Sequence, residues 1–590
     1  MEVKAKNGTI LGGVPYVDGI ASGKLLAGNL ELSFWGGVNP KTGEVIDRFH
    51  PLSGHLLRDT VLAIPGGRGS CGGSVIMMEL ILNGLGPKAL IFQRREEIIT
   101  LGVIVAEELF GKTAPVVTLK PQDFQRLLSW NGKMVHIQGG QVSNALLEVS
   151  DDHKHTTPGF DIKNLNVELS DFDRAALKGE HGEATRVSMK ILVRMADMMG
   201  AREMMDVSQA HVDGAWYGPG SVAFGQRLRD WGGKFRVPST LNSLTIDHRR
   251  WKPLGIDAEL GSTCQELTKA FLDMGAQVSF TCAPYLLESA PKQGDAIAWG
   301  ESNAVIYANS VLGARTLKNP NMLEALIALT GRAPKTGAYL DENRLADVWI
   351  NVLPVQGADN SFWPILGYTI GAMASSRIPV ITGLQDMKPS TDDFKAFSAA
   401  FATSSSAAMF HMVKQTPEAP TLESMCPSGV PPEKMDLDWR ELDSCWEEFN
   451  HGSSPRNVDL ISFGNPHFSF QEIKRLAHLC QGRRKHDDVA VIVTCGRAQH
   501  GLATQAGYVG QLEEFGVQFL TDTCWCSIEE PVIPKPVKVI MTNSGKYIHY
   551  GPGLTGRNFC FGSLEMCAET AVSGWSTGNP PAWLQKARLK

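Results

Sequence analysis

The chain has 590 residues, more than one hydrophobic core accommodates, which predicts at least two domains. Its 43% apolar and 20% charged residues are those of a globular protein, neither disordered nor fibrous. A net charge of -6 leaves no basic footprint for nucleic acid or an anionic membrane, and no run approaches the roughly 20 apolar residues of a membrane span.

The first residues, MEVKAKNGTILGG, lack the continuous apolar segment of a signal peptide, so a cytoplasmic location is expected. In chain order, Asp59–Pro65 (DTVLAIP) reads as a buried strand and GGRGSCGG as a loop. Ser74–Asn83 (SVIMMELILN) has helical length, stopped by Gly84 and Gly86-Pro87, and Ala89–Gln93 reads as the next strand. This is a strand–loop–helix–strand unit with parallel strands expected. The polar stretch from Ser150 to Lys163 reads as a linker. Ser170–Met199 reads as one long helix with Ser170 as its N-cap. Beyond it, strand-like runs at Gln277–Phe280, Val348–Leu353, Asp488–Thr494 and Val517–Leu520 alternate with helical stretches, an α/β pattern. Gln415–Arg456, rich in Pro, Ser and acidic residues, reads as a surface insertion.

Gly67, Gly69 and Gly72 match G-x-G-x-x-G after a strand and before a helix, which is a dinucleotide fingerprint. No acidic residue ends the following strand; Gln93, Arg94 and Arg95 stand there, so only an NADP-dependent oxidoreductase reading survives. A second reading uses the loop amides as an anion site at a helix N-terminus, with Ser70 beside Arg68 as a base or a carboxylate-gripping hydroxyl. A plain glycine turn is the third.

Eleven scattered cysteines without a signal peptide argue against a disulfide framework. Cys282, Cys524 and Cys567 lie at strand ends or in loops, as dispersed ligands of a catalytic iron–sulfur cluster do; the alternative for each is ordinary burial. Glu301, Ser302 and Asn303, with Arg315 downstream, form a polar island in a small, apolar stretch. Asn543, Ser544, Lys546 and His549 form another. Arg315 suits carboxylate or phosphate binding, or a structural ion pair. His211 and His467 read as structural.

At these stretches the sequence resembles the aconitase X family. The resemblance runs through LAIPGGRGSCGGSVIMMELILNGLGPKALIF, LKGEHGEATRVSMKIL, VPSTLN, TCAPYL, AWGESNAVIYANSVLGART, TDTC, MTNSGKYIHYGPG and FGSLEMC, and covers nearly the whole chain. It implies an α/β aconitase-like multidomain fold. Residues 1–149 would be a swivel domain, 150–164 a linker, and 165–590 a large catalytic region. It implies a hydro-lyase with an iron–sulfur cluster, 2Fe-2S favoured and 3Fe-4S or 4Fe-4S possible, on Cys282, Cys524 and Cys567. Ser70 falls on the family's catalytic base. Arg68, Gly69, Ser74, Glu301, Ser302, Asn303, Arg315, Lys546 and His549 are the candidate substrate-binding residues. One departure is Gly464–His467 (GNPH), where the family pattern leads us to expect cysteine in place of Asn465. The fused arrangement resembles the branch that dehydrates cis-3-hydroxy-L-proline to Δ1-pyrroline-2-carboxylate, needing no separate small subunit. The alternative is dehydration of mevalonate 5-phosphate. Neither nucleic acid nor membrane is an expected partner, only a small hydroxy acid.

Overall fold

A computed structural model describes residues 8–147, 166–426, 428–429, 432–451 and 455–589. The expected linker, 150–164, lies outside them.

The N-terminal part closes into a seven-stranded barrel in the order β1 (Ile10–Val17), β5 (Val116–Leu119), β4 (Ala89–Phe92), β3 (Thr60–Ile64), β2 (Ile20–Ala27), β6 (Met134–Gln138), β7 (Gln141–Ser143). β2 to β5 run parallel, as the strand–loop–helix–strand reading expects, and the other pairings are antiparallel. The helix between β3 and β4, α1 (Gly73–Leu82), is apolar all round because it is covered on both sides. One side faces the barrel and α2 (Glu97–Phe110); the other faces the large region. Glu79 of α1 accepts the Gly220 N–H at 2.6 Å, at the first turn of the helix Pro219–Asp230. Buried Arg194 donates to Glu107 at 2.6 Å and Glu108 at 2.8 Å of α2. One continuous core therefore joins the barrel to the large region.

Among the described residues of the large region, three parallel sheets are joined by two antiparallel strand pairs. The first orders Ser239–Leu241, Ala210–Val212, Ala298–Trp299. The second orders His411–Met412, Pro379–Thr382, Val348–Val352, Lys434–Leu437. The third orders Val517–Thr521, Ala490–Cys495, Leu460–Phe468, Val539–Thr542, Asn558–Phe561. In chain order this last sheet runs 3-2-1-4-5, a doubly wound arrangement that leaves a crevice beside its first strand at the carboxyl end.

Three sequence expectations need correction. Ser170 does cap a helix through a capping box with Asp173, but that helix ends at Leu177 and another spans Glu183–Met199. Gly179 and Gly182, at φ +84° and +87°, break the chain between them. Gln277–Phe280 is not a strand: it makes a single bridge at Gln277, and Phe280 turns with φ +41°. Gln415–Arg456 is not wholly an insertion. Lys434–Leu437 completes the second sheet, and the helix Trp439–Asn450 buries Leu442, Trp446 and Phe449 in the core. Those apolar positions have helical spacing, which the acidic composition masks.

Gly464 bends the strand Leu460–Phe468 just before Asn465. At φ +95°, a Cβ there would lie 2.0 Å from the Thr494 carbonyl oxygen. Gly464→Ala is expected to destabilise the protein by about 2–4 kcal/mol, through backbone strain and overlap. A urea melt that leaves the midpoint unmoved would show that the bend relaxes.

Candidate active site

A cleft of about 520 Å³ lies between the barrel and the large region. Its walls come from the carboxyl ends of parallel strands. Asp213 follows Ala210–Val212, Asn242 follows Ser239–Leu241, and Glu301 follows Ala298–Trp299. Cys524 and Cys526 follow Val517–Thr521, and Lys546 follows Val539–Thr542. Strand carboxyl ends are where α/β sheets present ligand-binding loops. The barrel contributes the glycine loop opposite.

Ser70 lines the cleft, and its Oγ accepts the Gly72 N–H at 3.2 Å, one residue before α1 begins. The amides at the start of α1 and its dipole favour negative charge at this oxygen. The loop is docked rather than free. Cys71 O accepts from Asn321 N at 3.1 Å. The buried Ser74 hydroxyl contacts Cys71 O at 3.0 Å and Asn321 O at 2.8 Å. Gly72 must be small, since a Cβ would lie 3.1 Å from Trp35 and 3.3 Å from Tyr217. Arg94 donates to Glu31 at 2.7 Å and to Gly67 O at 2.9 Å, so it is tied to the loop itself.

In the facing wall, Lys546 Nζ donates to Glu301 Oε1 at 2.8 Å, both side chains being nearly buried. Burial pushes the Glu301 carboxyl up. The Lys546 charge and the hydrogen bonds from Lys546, Asn303 and Asn242 reverse this and hold it below its ordinary range. Burial pulls Lys546 down, but Glu301 and the thiols of Cys526, Cys524 and Cys282 raise it well above its ordinary value. The pair is therefore ionic at neutral pH. Asn303 Nδ2 donates to Glu301 at 2.6 Å and to Cys282 O at 3.1 Å, which couples the carboxylate to the cysteine loop. Asp213 accepts from Tyr217 Oη at 2.8 Å and Asn321 at 2.5 Å. Burial raises its pKa to about 6 against those hydrogen bonds.

The thiols of Cys282, Cys524 and Cys526 lie together. The Cys524 thiol is raised first by its contact with Cys282, and Cys526 first by its contact with Cys524. Asn465 lies against two of them, 3.6 Å from Cys526 Sγ and 3.8 Å from Cys524 Sγ. His467 ties their loops together. Its ring contacts Thr523 O at 2.7 Å and Thr281 Oγ1 at 3.1 Å, and the His467 backbone N–H donates to Cys282 Sγ at 3.3 Å. Burial lowers the ring to about 4, so it is neutral and donates from Nε2. Three soft thiols beside an ammonium are the donor chemistry of an iron–sulfur site. Among the described residues no three His, Cys, Asp or Glu side chains are arranged to hold a single metal ion. The fit therefore rests on the donors.

Of the residues singled out from sequence, Ser70, Glu301, Ser302, Asn303, Lys546 and Cys524 line the cleft, with Cys282 behind it. Others do not reach it. Cys567 is fully buried in the helix Leu564–Ser573, with Cys560 and Glu565 as its charge neighbours and Gly562 O 3.8 Å away. Arg315 is a structural ion pair with Asp341 and donates to Tyr339 O at 2.9 Å. His549 points from its helix to Tyr368 Oη, 2.9 Å away, while Tyr550, one residue on, lines the cleft. Arg68 turns to Asp47 at 2.9 Å. Gly69, at φ +81°, shapes the loop beside Ser33, and Ser74 clamps it. Sequence reasoning missed Asp213, Tyr217, Asn242, Asn321 and Tyr550, and left Cys526 without a role. The Cys-x-Cys spacing and the position of Asp213 at a strand end were the signals available.

Family models match four consecutive stretches: the aconitase X swivel domain at 10–144, first domain at 166–342, second at 346–447 and third at 458–573. The chain is 53% identical to a cis-3-hydroxy-L-proline dehydratase of Hypocrea jecorina over 578 residues, 97% of each chain. It is 45% identical to a protein of the same name from Pseudomonas aeruginosa, over 97% of this chain and 98% of that one. The crystal structure of Thermococcus kodakaraensis aconitase X (holo-form) superposes with a TM-score of 0.62 at 29% identity, covering 68% of this chain and 100% of that one. With its barrel, its three parallel sheets and its site all falling inside these matches, the chain belongs to the aconitase X family.

Proposed function

We propose that the protein is a carbon–oxygen hydro-lyase that dehydrates cis-3-hydroxy-L-proline to Δ1-pyrroline-2-carboxylate. The observation that carries this is one cleft holding Ser70 at a helix start opposite a group of thiols and a buried Lys546–Glu301 pair. The 53% identity to a dehydratase of that name supports the substrate.

Ser70 Oγ is the base that takes the Cα proton. Its alkoxide is stabilised by the Gly72 N–H and the dipole of α1. Lys546, held by Glu301, orients the substrate carboxylate with Ser302. Loss of the Cα proton and the 3-hydroxyl releases water and leaves an enamine, which tautomerises to the imine. Cys282, Cys524 and Cys526 are the residues we assign to an iron–sulfur cluster, which supplies a Lewis acid for the departing hydroxyl when bound. Three thiols leave one iron position open, and we favour a 2Fe-2S type.

The competing substrate, mevalonate 5-phosphate, carries a phosphate dianion. The cleft is lined by four carboxylates, Asp213, Glu301, Glu529 and Glu530, but by only two cations, Lys41 and Lys546. That balance suits a zwitterion better than a polyanion. The oxidoreductase reading loses its phosphate site, because the glycine loop is clamped to Asn321 and Arg94 is engaged.

We also retain the division into a barrel unit (1–149), a connection (150–164) and a large region (165–590), supported by the gap between family matches at 144 and 166. No separate small subunit is invoked, since a single-chain relative is covered over 97% of its length. A cytoplasmic location is proposed; all eleven cysteines are unpaired, as a reducing compartment requires. No helix among the described residues is long and apolar enough to cross a membrane.

The test is anaerobic purification, iron and sulfide analysis, and assay of both substrates. Turnover of cis-3-hydroxy-L-proline with bound iron is the expected result. Turnover of mevalonate 5-phosphate instead would overturn the substrate. Ser70→Ala is expected to retain iron and fold while turnover falls by about 10²–10⁴-fold. A mutant that keeps most of its turnover would remove Ser70 as the base.

A further inference from the structure

Two carboxylate oxygens in the cleft are under-used. Asp213 engages Oδ2 fully, accepting from Tyr217 at 2.8 Å and Asn321 at 2.5 Å. Its Oδ1 has only long contacts, 3.3 Å from Asn242 Nδ2 and 3.4 Å from the Ala215 N–H. Glu301 repeats the pattern. Oε1 takes Lys546 at 2.8 Å and Asn303 at 2.6 Å, while Oε2 has only Asn242 Nδ2 at 3.3 Å. One amide nitrogen therefore spans both oxygens and satisfies neither at the 2.7–2.9 Å typical of charge-assisted bonds.

The charges point the same way. Glu301 is neutralised by Lys546. Every hydrogen-bond partner of Asp213 is neutral, and no ion pair to it exists among the described residues. Its buried neighbour Glu324 accepts the Asp213 N–H at 3.0 Å, and burial raises that carboxyl to about 8, so it is uncharged at neutral pH. Of the two facing carboxylates, Asp213 and Glu301, Asp213 is thus the one with no cation beside it, and it faces the cleft.

We propose that Asp213 Oδ1 and Glu301 Oε2 form an amine subsite that takes the two N–H bonds of a protonated secondary amine, making Asp213 a specificity-determining residue for a cyclic imino acid over the matching hydroxy or ether acid. This rests on the reaction proposed above. A secondary ammonium carries two donors and one positive charge, which is what the two oxygens and Asp213 lack. Ser70 and Lys546, the groups assigned to the Cα proton and the carboxylate, line the same cleft.

The experiment is calorimetric binding to the iron-loaded full chain of three ring acids: L-proline, N-methyl-L-proline and tetrahydrofuran-2-carboxylate. They offer two, one and no N–H donors at the same ring position. Wild type is expected to bind L-proline at least about 10-fold more tightly than the ether, with the N-methyl compound between. Asp213→Asn is expected to remove that preference while changing ether binding by less than about 3-fold, with iron content unchanged. Equal affinities in wild type, or a preference that survives in Asp213→Asn, would overturn the subsite. Should the variant not fold, the wild-type series decides alone. Because binding is read without turnover, failure of the subsite is distinguishable from failure of the dehydratase reading, which the substrate assay reports.

Discussion

Cys526→Ser is expected to purify without most of its iron and with turnover reduced by at least about 100-fold, whereas Cys567→Ser keeps both. The contrast follows from placement. Cys526 lies on the cleft wall beside Cys524, and its thiol contacts Asn465 at 3.6 Å. Cys567 is enclosed in the core of the five-stranded sheet with Cys560, Leu564 and Ala568. A serine at 567 places a hydroxyl in that core, but the Gly562 carbonyl is within reach as an acceptor, so the cost is about 1–3 kcal/mol of stability and not the cofactor. Iron and sulfide analysis with visible absorbance, on proteins purified anaerobically, reads the result. Loss of iron in Cys567→Ser with retention in Cys526→Ser would reverse the assignment.

Removing the Lys546 ammonium is expected to have the largest effect on stability of any cleft substitution. Lys546→Met leaves Glu301 buried and charged without its counterion, a loss of about 3–5 kcal/mol. It also removes the cation assigned to the substrate carboxylate, so turnover should fall with stability. The double variant Glu301→Gln/Lys546→Met separates the two effects. It should recover most of the stability, because no unpaired charge remains, and none of the activity. Chemical denaturation of the three proteins beside their turnover checks this. A single variant as stable as wild type would show that water reaches Glu301.

The sequence carried local structure well where one signal dominated. α1 and its flanking strands were legible because an apolar run of helical length stood between two buried strands and glycine punctuation. The barrel was not, since closure depends on antiparallel pairing of β1 with β5 and β7, which no local pattern records. In the site, Ser70, Glu301 and Lys546 stood out as polar residues in small, apolar surroundings. Arg315 and His549 stood out for the same reason, yet they satisfy Asp341 and Tyr368. Polarity in an apolar run signals a buried partner and does not say whether the partner is protein or ligand. Cys567 stood out through its motif, and its thiol packs as a small hydrophobe with Cys560, Leu564 and Ala568. Asp213 and Asn242 were hidden because their strands are only three residues long, too short for a periodic signal.

The residues assigned to chemistry leave their sheets at the carboxyl edge, while the strands beneath them are almost wholly buried. Folding information and reaction information are therefore written largely in separate parts of the polypeptide, the buried Glu301–Lys546 pair belonging to both. Such a scaffold is well suited to diversification: a few exchanges at the rim could redirect it to a different small acid while the interior continues to be inherited intact.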